Sequence, residues 1–278
     1  MSYDLFFTAN SGKKIDKKAF AAHFSGRRNY EVNKKQAVYQ NEDTGVYFIF
    51  DAPDSDGVVA FNLNYFRPHV FGLEAAPELE LFVATLDLTT GDPQGEMEDG
   101  APFTREAFLR GWNGGNEFAY HSMLKEQSAP IHTWPARKIQ HIWDWNYARP
   151  TEEEERVRDE LFVPGIFAVE INGVASSVVI WPPQCPIYLP AVDAVLVPCA
   201  QTEENEDMAL VSWDEISPLL DAYEEQSSSL TRYRIPFEQW SADLTAFFSV
   251  KREPVGELKG IGLDEILDQE LVEQAGRE

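Results

Sequence analysis

Gln36-Ala37-Val38-Tyr39-Gln40-Asn41-Glu42-Asp43-Thr44-Gly45-Val46-Tyr47-Phe48-Ile49-Phe50-Asp51 is the stretch that decides the fold class. Residues 36–40 and 46–51 are short runs rich in β-branched and aromatic side chains, and Asn41 to Gly45 between them are turn formers. Such a pattern specifies a β-hairpin, because the flanking runs suit a pleated surface while Asn, Asp and Gly accept the backbone angles of a reversal. Downstream, Val58 to Phe66 alternates Val, Phe, Leu and Tyr with small or polar residues, which predicts a third strand. Upstream, Tyr3 to Thr8 reads as an aromatic strand. Asp16 to Phe24 opens on an N-cap residue and spaces Phe20 and Phe24 four apart, as an amphipathic helix does, before Ser25-Gly26 ends it. Helix and hairpin strands in one stretch make the class α+β.

Pro77 to Thr85 is ambiguous: it fits a helix followed by a strand, and the alternation of Leu79, Leu81 and Val83 favours strand. Asp92 to Gly100 reads as a loop rich in Pro, Gly and acids. Thr104 to Gly111 predicts a helix capped by Thr104, broken at Trp112-Asn113-Gly114-Gly115-Asn116 and resuming over 117–126. Pro135 to Tyr147 predicts a helix carrying Ile139, Ile142, Trp143 and Trp145. A further helix begins at Thr151, with Glu152 to Glu155 at the positive end of its dipole.

Strands return over Gly165 to Ile171 and Val174 to Trp181, joined by Asn172-Gly173, a dipeptide that favours a type I′ turn. Ala191 to Pro198 and Met208 to Trp213 add two more. Helices follow over 215–224, from Pro236 with Phe237, Trp240, Leu244 and Phe247 in helical spacing, and over Leu263 to Gln274. The expected architecture is two antiparallel-sheet-containing parts with packed helices, residues 1–91 and 161–278, joined by a helical, Trp-rich part, residues 92–160. The three parts also fit a single compact unit.

Composition narrows the function. The chain has 278 residues, of which 44% are hydrophobic and 13% aromatic, enough apolar surface to offset the entropy of ordering and so to exclude intrinsic disorder. It carries 23 basic and 47 acidic side chains, a formal net charge of −24. That balance argues against nucleic acid and against anionic lipid, both of which call for a basic face. The charge is unevenly placed: +5 over residues 1–40, −16 over 41–202 and −13 over 203–278. Solubility alone gives no reason for such polarity, whereas a protein partner gives one. The opening Met1-Ser2-Tyr3-Asp4 has no basic region leading into an apolar one, no apolar run approaches the roughly 18 residues of a membrane span, and Cys185 and Cys199 make no disulfide framework. A cytoplasmic location with reduced thiols is the expectation.

Chemical motifs are scarce. His23, His69, His121, His132 and His141 stand in no zinc-ligand spacing, and neither cysteine belongs to a Cys-x-x-Cys pair. No nucleophile elbow and no phosphate-binding loop occurs. Neither a metal nor a cofactor is expected. Carboxylate runs at Glu152 to Glu155, at Glu203, Glu204, Glu206 and Asp207, and at Asp214-Glu215 could pair for acid–base work. In a chain with 47 acids they read first as solvated faces. The most distinctive local feature is aromatic: Trp112, Trp134, Trp143, Trp145 and Tyr147, interspersed with Arg137, Lys138 and Arg149. It reads first as core, and second as a binding platform of the Trp, Tyr and Arg side chains that dominate interface energetics.

Tyr3-Asp4-Leu5-Phe6-Phe7, Tyr39-x-Asn41-x-Asp43-Thr44-Gly45-Val46-Tyr47-Phe48, Leu189-Pro190-x-x-Asp193 and Val211-x-Trp213-Asp214-Glu215 resemble stretches of bacterial proteins that accompany secreted polymorphic toxins. The resemblance implies an immunity protein, an inhibitor that binds a cognate toxin and needs no catalytic residues. It carries over no contact residue.

The resulting expectation is a non-enzymatic acidic protein that occludes a basic toxin. Its candidate partner-binding residues are Glu152, Glu153, Glu154, Glu155, Glu203, Glu204, Glu206, Asp207, Trp143 and Trp145. The alternatives are a hydrolase with paired carboxylates in a cleft between the parts, and a structural or scaffold protein.

Overall fold

Alternation builds the first sheet. In the computed structural model, which describes residues 1–95, 102–125, 131–156, 159–199, 207–226, 231–256 and 258–276, the chain divides into two compact units. One comprises residues 1–139 with 264–278, the other residues 140–263. The fold is α+β.

The first unit opens with β1 (Ser2–Ala9), α1 (Lys17–Phe24), β2 (Tyr30–Val32), β3 (Gln36–Gln40), β4 (Tyr47–Asp51) and β5 (Val59–Asn64). It continues with α2 (Val70–Leu86), β6 (Leu88–Gly91), α3 (Arg105–Met123) and β7 (His132–Trp134). The hairpin read from residues 36–51 is β3–β4, with Tyr39 opposite Phe48 and Gly45 at φ 76° in the reversal. Six strands form one antiparallel sheet in the order β2-β3-β4-β5-β1-β6. Every second side chain turns inward: Tyr3, Leu5 and Phe7 on β1, Phe48 and Phe50 on β4, Val59, Phe61 and Leu63 on β5. The helices cover that face. Phe82 of α2 meets Phe7, Phe24 and Phe50 with ring centroids 5.5, 5.4 and 5.0 Å away, and Phe108 of α3 meets Tyr3 at 5.8 Å.

Two sequence expectations fail here for the same reason, a helix face that outweighs a local signal. Residues 77–85 are helical, within α2, although Pro77 lacks the N–H that a helix interior uses. The buried series is Phe71, Ala75, Leu79 and Phe82, with period near 3.6, while Leu81 is exposed. The expected break at residues 112–116 is absent, and α3 runs through it. A Cβ on Gly115 would lie 2.1 Å from the Tyr65 hydroxyl oxygen, so the glycine marks a close approach rather than a break. Thr104 does cap α3, its Oγ1 accepting from Ala107 N at 3.3 Å.

The helix α4 (Ala136–Arg156) begins in the first unit and continues into the second. Residues 151–156, expected to start a separate helix, are its last turns, with Pro150 inside it. The second unit contains β8 (Phe167–Ile171), β9 (Val174–Ile180), β10 (Ile187–Pro190), β11 (Ala194–Pro198), β12 (Met208–Ser212), α5 (Trp213–Ile216), β13 (Glu224–Gln226), β14 (Thr231–Ile235), α6 (Ala242–Ser249) and β15 (Lys259–Ile261). Asn172 and Gly173, at φ 52° and 81°, turn β8 into β9 as their sequence specifies. Five strands lie in the order β12-β11-β9-β8-β15, with β9 and β11 parallel, and three more in the order β10-β14-β13. Val169, Val178, Ala194 and Leu196 pack one face of the larger sheet. The helix expected over 215–224 is short, since α5 gives way to 3-10 turns at Ser217–Leu219 and Asp221–Tyr223. Pro236 leads into a 3-10 turn at Phe237–Gln239, and α6 starts only where Ser241 Oγ accepts from Leu244 N at 3.1 Å.

The chain then rejoins the first unit with β16 (Ile266–Asp268) and α7 (Gln269–Ala275). The single helix expected over 263–274 is thus divided, because Ile266 to Asp268 pair in parallel with β7. Among the described residues, no helix is long and apolar enough to cross a membrane.

Candidate functional site

The candidate binding residues sort by where α4 places them. Trp145 is 1% exposed, and its Nε1 donates to Pro164 O at 2.7 Å. Asn146, equally buried, donates from Nδ2 to Ile166 O at 3.0 Å and accepts from Ile166 N at 2.9 Å. Three hydrogen bonds therefore fasten the middle of α4 to residues 164–166, which lead into β8. Buried amide and indole groups need such partners, and here the partners also fix the helix rotation. His141 adds a contact from Nε2 to Ala191 O at 3.0 Å.

The acids of α4 divide in the same way. Glu152 accepts from Arg232 Nη1 at 2.7 Å and lies 3.5 Å from Arg156 Nη2. Arg156 stacks on the ring of Tyr188, 4.2 Å from its centroid. Glu153 pairs with Arg149 one turn earlier. These carboxylates sit at the end of α4, where the helix dipole disfavours negative charge, and the arginines compensate. Glu154 and Glu155 are exposed. Asp207 is exposed too, its backbone carbonyl accepting from Cys199 N at 2.9 Å. Glu203, Glu204 and Glu206 lie outside the described residues.

Helical spacing puts Trp143, Tyr147, Thr151 and Glu154 in one row. Trp143 is half-buried and stacks on Tyr147, ring centroids 5.1 Å apart at 23°, and Tyr147 is 43% exposed. The row thus runs from an aromatic pair to exposed carboxylates, on a helix whose opposite face is fastened.

The first unit holds two polar arrangements that no motif announces. Asp268, 3% exposed at its side chain, sits 2.5 Å from His69 Nδ1 through Oδ1 and accepts from His69 N through Oδ2 at 2.8 Å. Tyr120 Oη accepts from Asp268 N at 3.2 Å and donates to Arg67 O at the same distance. Burial, reinforced by the Asp268 charge, pushes the Tyr120 hydroxyl well above the ordinary phenol range. Asp264 nearby is also raised, chiefly by burial, with Arg67 opposing. Phe66 takes φ 61°, unusual for a bulky residue, while Asn116 Oδ1 accepts from its N–H at 2.7 Å and Asn116 Nδ2 donates to Arg67 O at 2.8 Å. His69 and Asp268 are 199 positions apart, so no spacing rule could pair them.

The second arrangement is a polar cleft of about 360 Å³ over β2, β3 and the 41–43 turn. The ion pair of Arg28 and Asp43, 3.3 Å apart, lies in its wall. Beneath the sheet, Glu74 is fully buried and accepts from Tyr39 Oη and Asn41 Nδ2, each at 2.7 Å. Among the described residues, no group of three or more His, Cys, Asp or Glu is placed to hold a metal ion. Burial raises the Cys185 thiol above its usual range, which disfavours the nucleophilic thiolate.

Comparison of the chain with protein-family models, with curated proteins and with solved structures finds no match.

Proposed function

We propose that this chain is an inhibitory binding protein, an immunity protein that occludes the active surface of a basic bacterial toxin. The observation that carries the reading is the row on α4. A half-buried Trp143 stacked on an exposed Tyr147 continues into the exposed carboxylate of Glu154, with exposed Glu155 next to it, on a helix held by Trp145 and Asn146. Aromatic anchors give an interface its slow dissociation, and a rigid presentation lowers the entropy lost on docking. The net charge of −24 supplies long-range attraction for a basic partner, and exposed acids beside the anchors favour the right encounter. Glu152 and Trp145 serve the row from behind, the one neutralising two arginines and the other filling the core.

The test is to identify a toxin domain encoded next to the gene for this chain and to co-express the two; absence of any such domain also counts against the reading. Rescue of growth and a salt-sensitive complex are expected. Glu154→Lys with Glu155→Lys should slow association, and Tyr147→Ala should speed dissociation with little change in association. Rescue that persists unchanged in all of these variants removes α4 from the interface. No rescue by the unaltered chain overturns the inhibitor reading.

A further inference from the structure

The first element of α4 has no neighbouring N-cap side chain of its own, since Pro135 precedes it. The Ala136 N–H instead donates to the carboxylate of Glu270, 3.0 Å to one oxygen and 3.3 Å to the other. Glu270 belongs to α7, and α7 is held in place by the residues just before it. Ile266, Leu267 and Asp268 pair in parallel with His132, Thr133 and Trp134, the strand that leads into α4. Asp268 grips His69 through its ring and its backbone N–H. Leu267 and Ala275 bury against Tyr120, with Leu271, Val272, Phe66, Leu124 and Ile131 packed around them.

Neither part is stable alone. A pair of three-residue strands is too short to persist in water, and a helix of seven residues is well below the length at which helices form unaided. Each therefore depends on the polar grip of Asp268 and on the small apolar cluster, and so must order or melt with them as one cooperative piece.

We propose that residues 264–276 are a lock on the start of α4, with the His69–Asp268 pair as its catch. With the catch closed, β16 pins β7 and Glu270 caps the first turn of α4. With it open, both contacts are lost together, while the six-stranded sheet keeps its own core. The lock stands whether or not α4 binds a toxin.

Hydrogen–deuterium exchange of the full chain tests this. Asp268→Ala and His69→Gln should each raise exchange in residues 131–139 and 264–276 together, by about tenfold or more as expected for loss of a charged hydrogen bond. Amides of β1 and β5 should keep wild-type rates. Glu270→Gln, a milder change at an exposed contact, should raise exchange in residues 136–139 alone and by less. Release of 264–276 with 131–139 unaffected overturns the lock, and so does unchanged exchange in both segments. Should Asp268→Ala fail to fold, His69→Gln and Glu270→Gln decide: a rise spread evenly over β1 and β5 counts against the lock, and one confined to the two segments supports it.

Discussion

Gly72 on α2 faces the ring of Trp112 on α3 so closely that a Cβ there would stand 2.9 Å from Cε3. Trp112 is fully buried, so the ring cannot move aside without disturbing its neighbours. Gly72→Ala should therefore destabilise the protein by about 1–3 kcal/mol, the usual cost of overpacking. Gly114, in the same helix as Trp112, has nothing within 4 Å of such a Cβ. Gly114→Ala should stabilise by about 0.5–1 kcal/mol through helix propensity alone. Urea denaturation of the two variants measures both, and equal effects would show that α2 and α3 are not in close contact.

Glu152 and Glu154 are two residues apart but differ in role. Glu152→Ala leaves Arg156 and Arg232 without their shared carboxylate in a poorly solvated site, and should cost about 1.5–3 kcal/mol. Glu154→Ala, at an exposed position, should stay within about 0.5 kcal/mol. Thermal unfolding of the single variants distinguishes them.

His23 gives stability a pH dependence. Burial, with help from Arg27, lowers its pKa from 6.5 to about 4, so the folded protein holds the ring neutral where the unfolded chain protonates it. Between those values the unfolded state binds more protons, and stability rises with pH through the window and falls as pH drops toward 4. His23→Gln should flatten this part of the stability profile, as read by denaturation at pH 4, 5 and 7 (about the range the shift spans).

Asp264 acts in the opposite direction. Its carboxyl is raised above the ordinary value, chiefly by burial, so the folded state holds the proton longer than the unfolded chain does. Stability from this group declines as pH rises through its titration. Asp264→Asn should remove that decline and leave the protein at least as stable at neutral pH, again by denaturation across pH. Destabilisation by the Asn variant at neutral pH would mean that the charged carboxylate is favoured where it sits.

Features legible in the sequence are those whose cause lies within a few residues. Asn172-Gly173 turns β8 into β9 because the two residues tolerate positive φ. Thr104 caps α3 because its hydroxyl reaches the N–H three residues on. Leu79, Leu81 and Val83 misled because alternation and helical spacing overlap over short runs, and only the packing of Phe82 on Phe7 and Phe50 decides between them. Glu152 to Glu155 looked like a single acidic run. Two of them turn to arginines and two to solvent, a division set by the rotation of α4.

By itself, then, the sequence determined the α+β class, the hairpins, the Thr104 cap and the polarised charge, all consequences of local backbone preference and composition. Tertiary structure alone decided which face of α4 is exposed, that α2 is a helix through Pro77, and that Asp268 meets His69 across 199 positions. Such contacts depend on chain segments that pack together only after folding, and no periodicity or spacing within either segment encodes its distant partner.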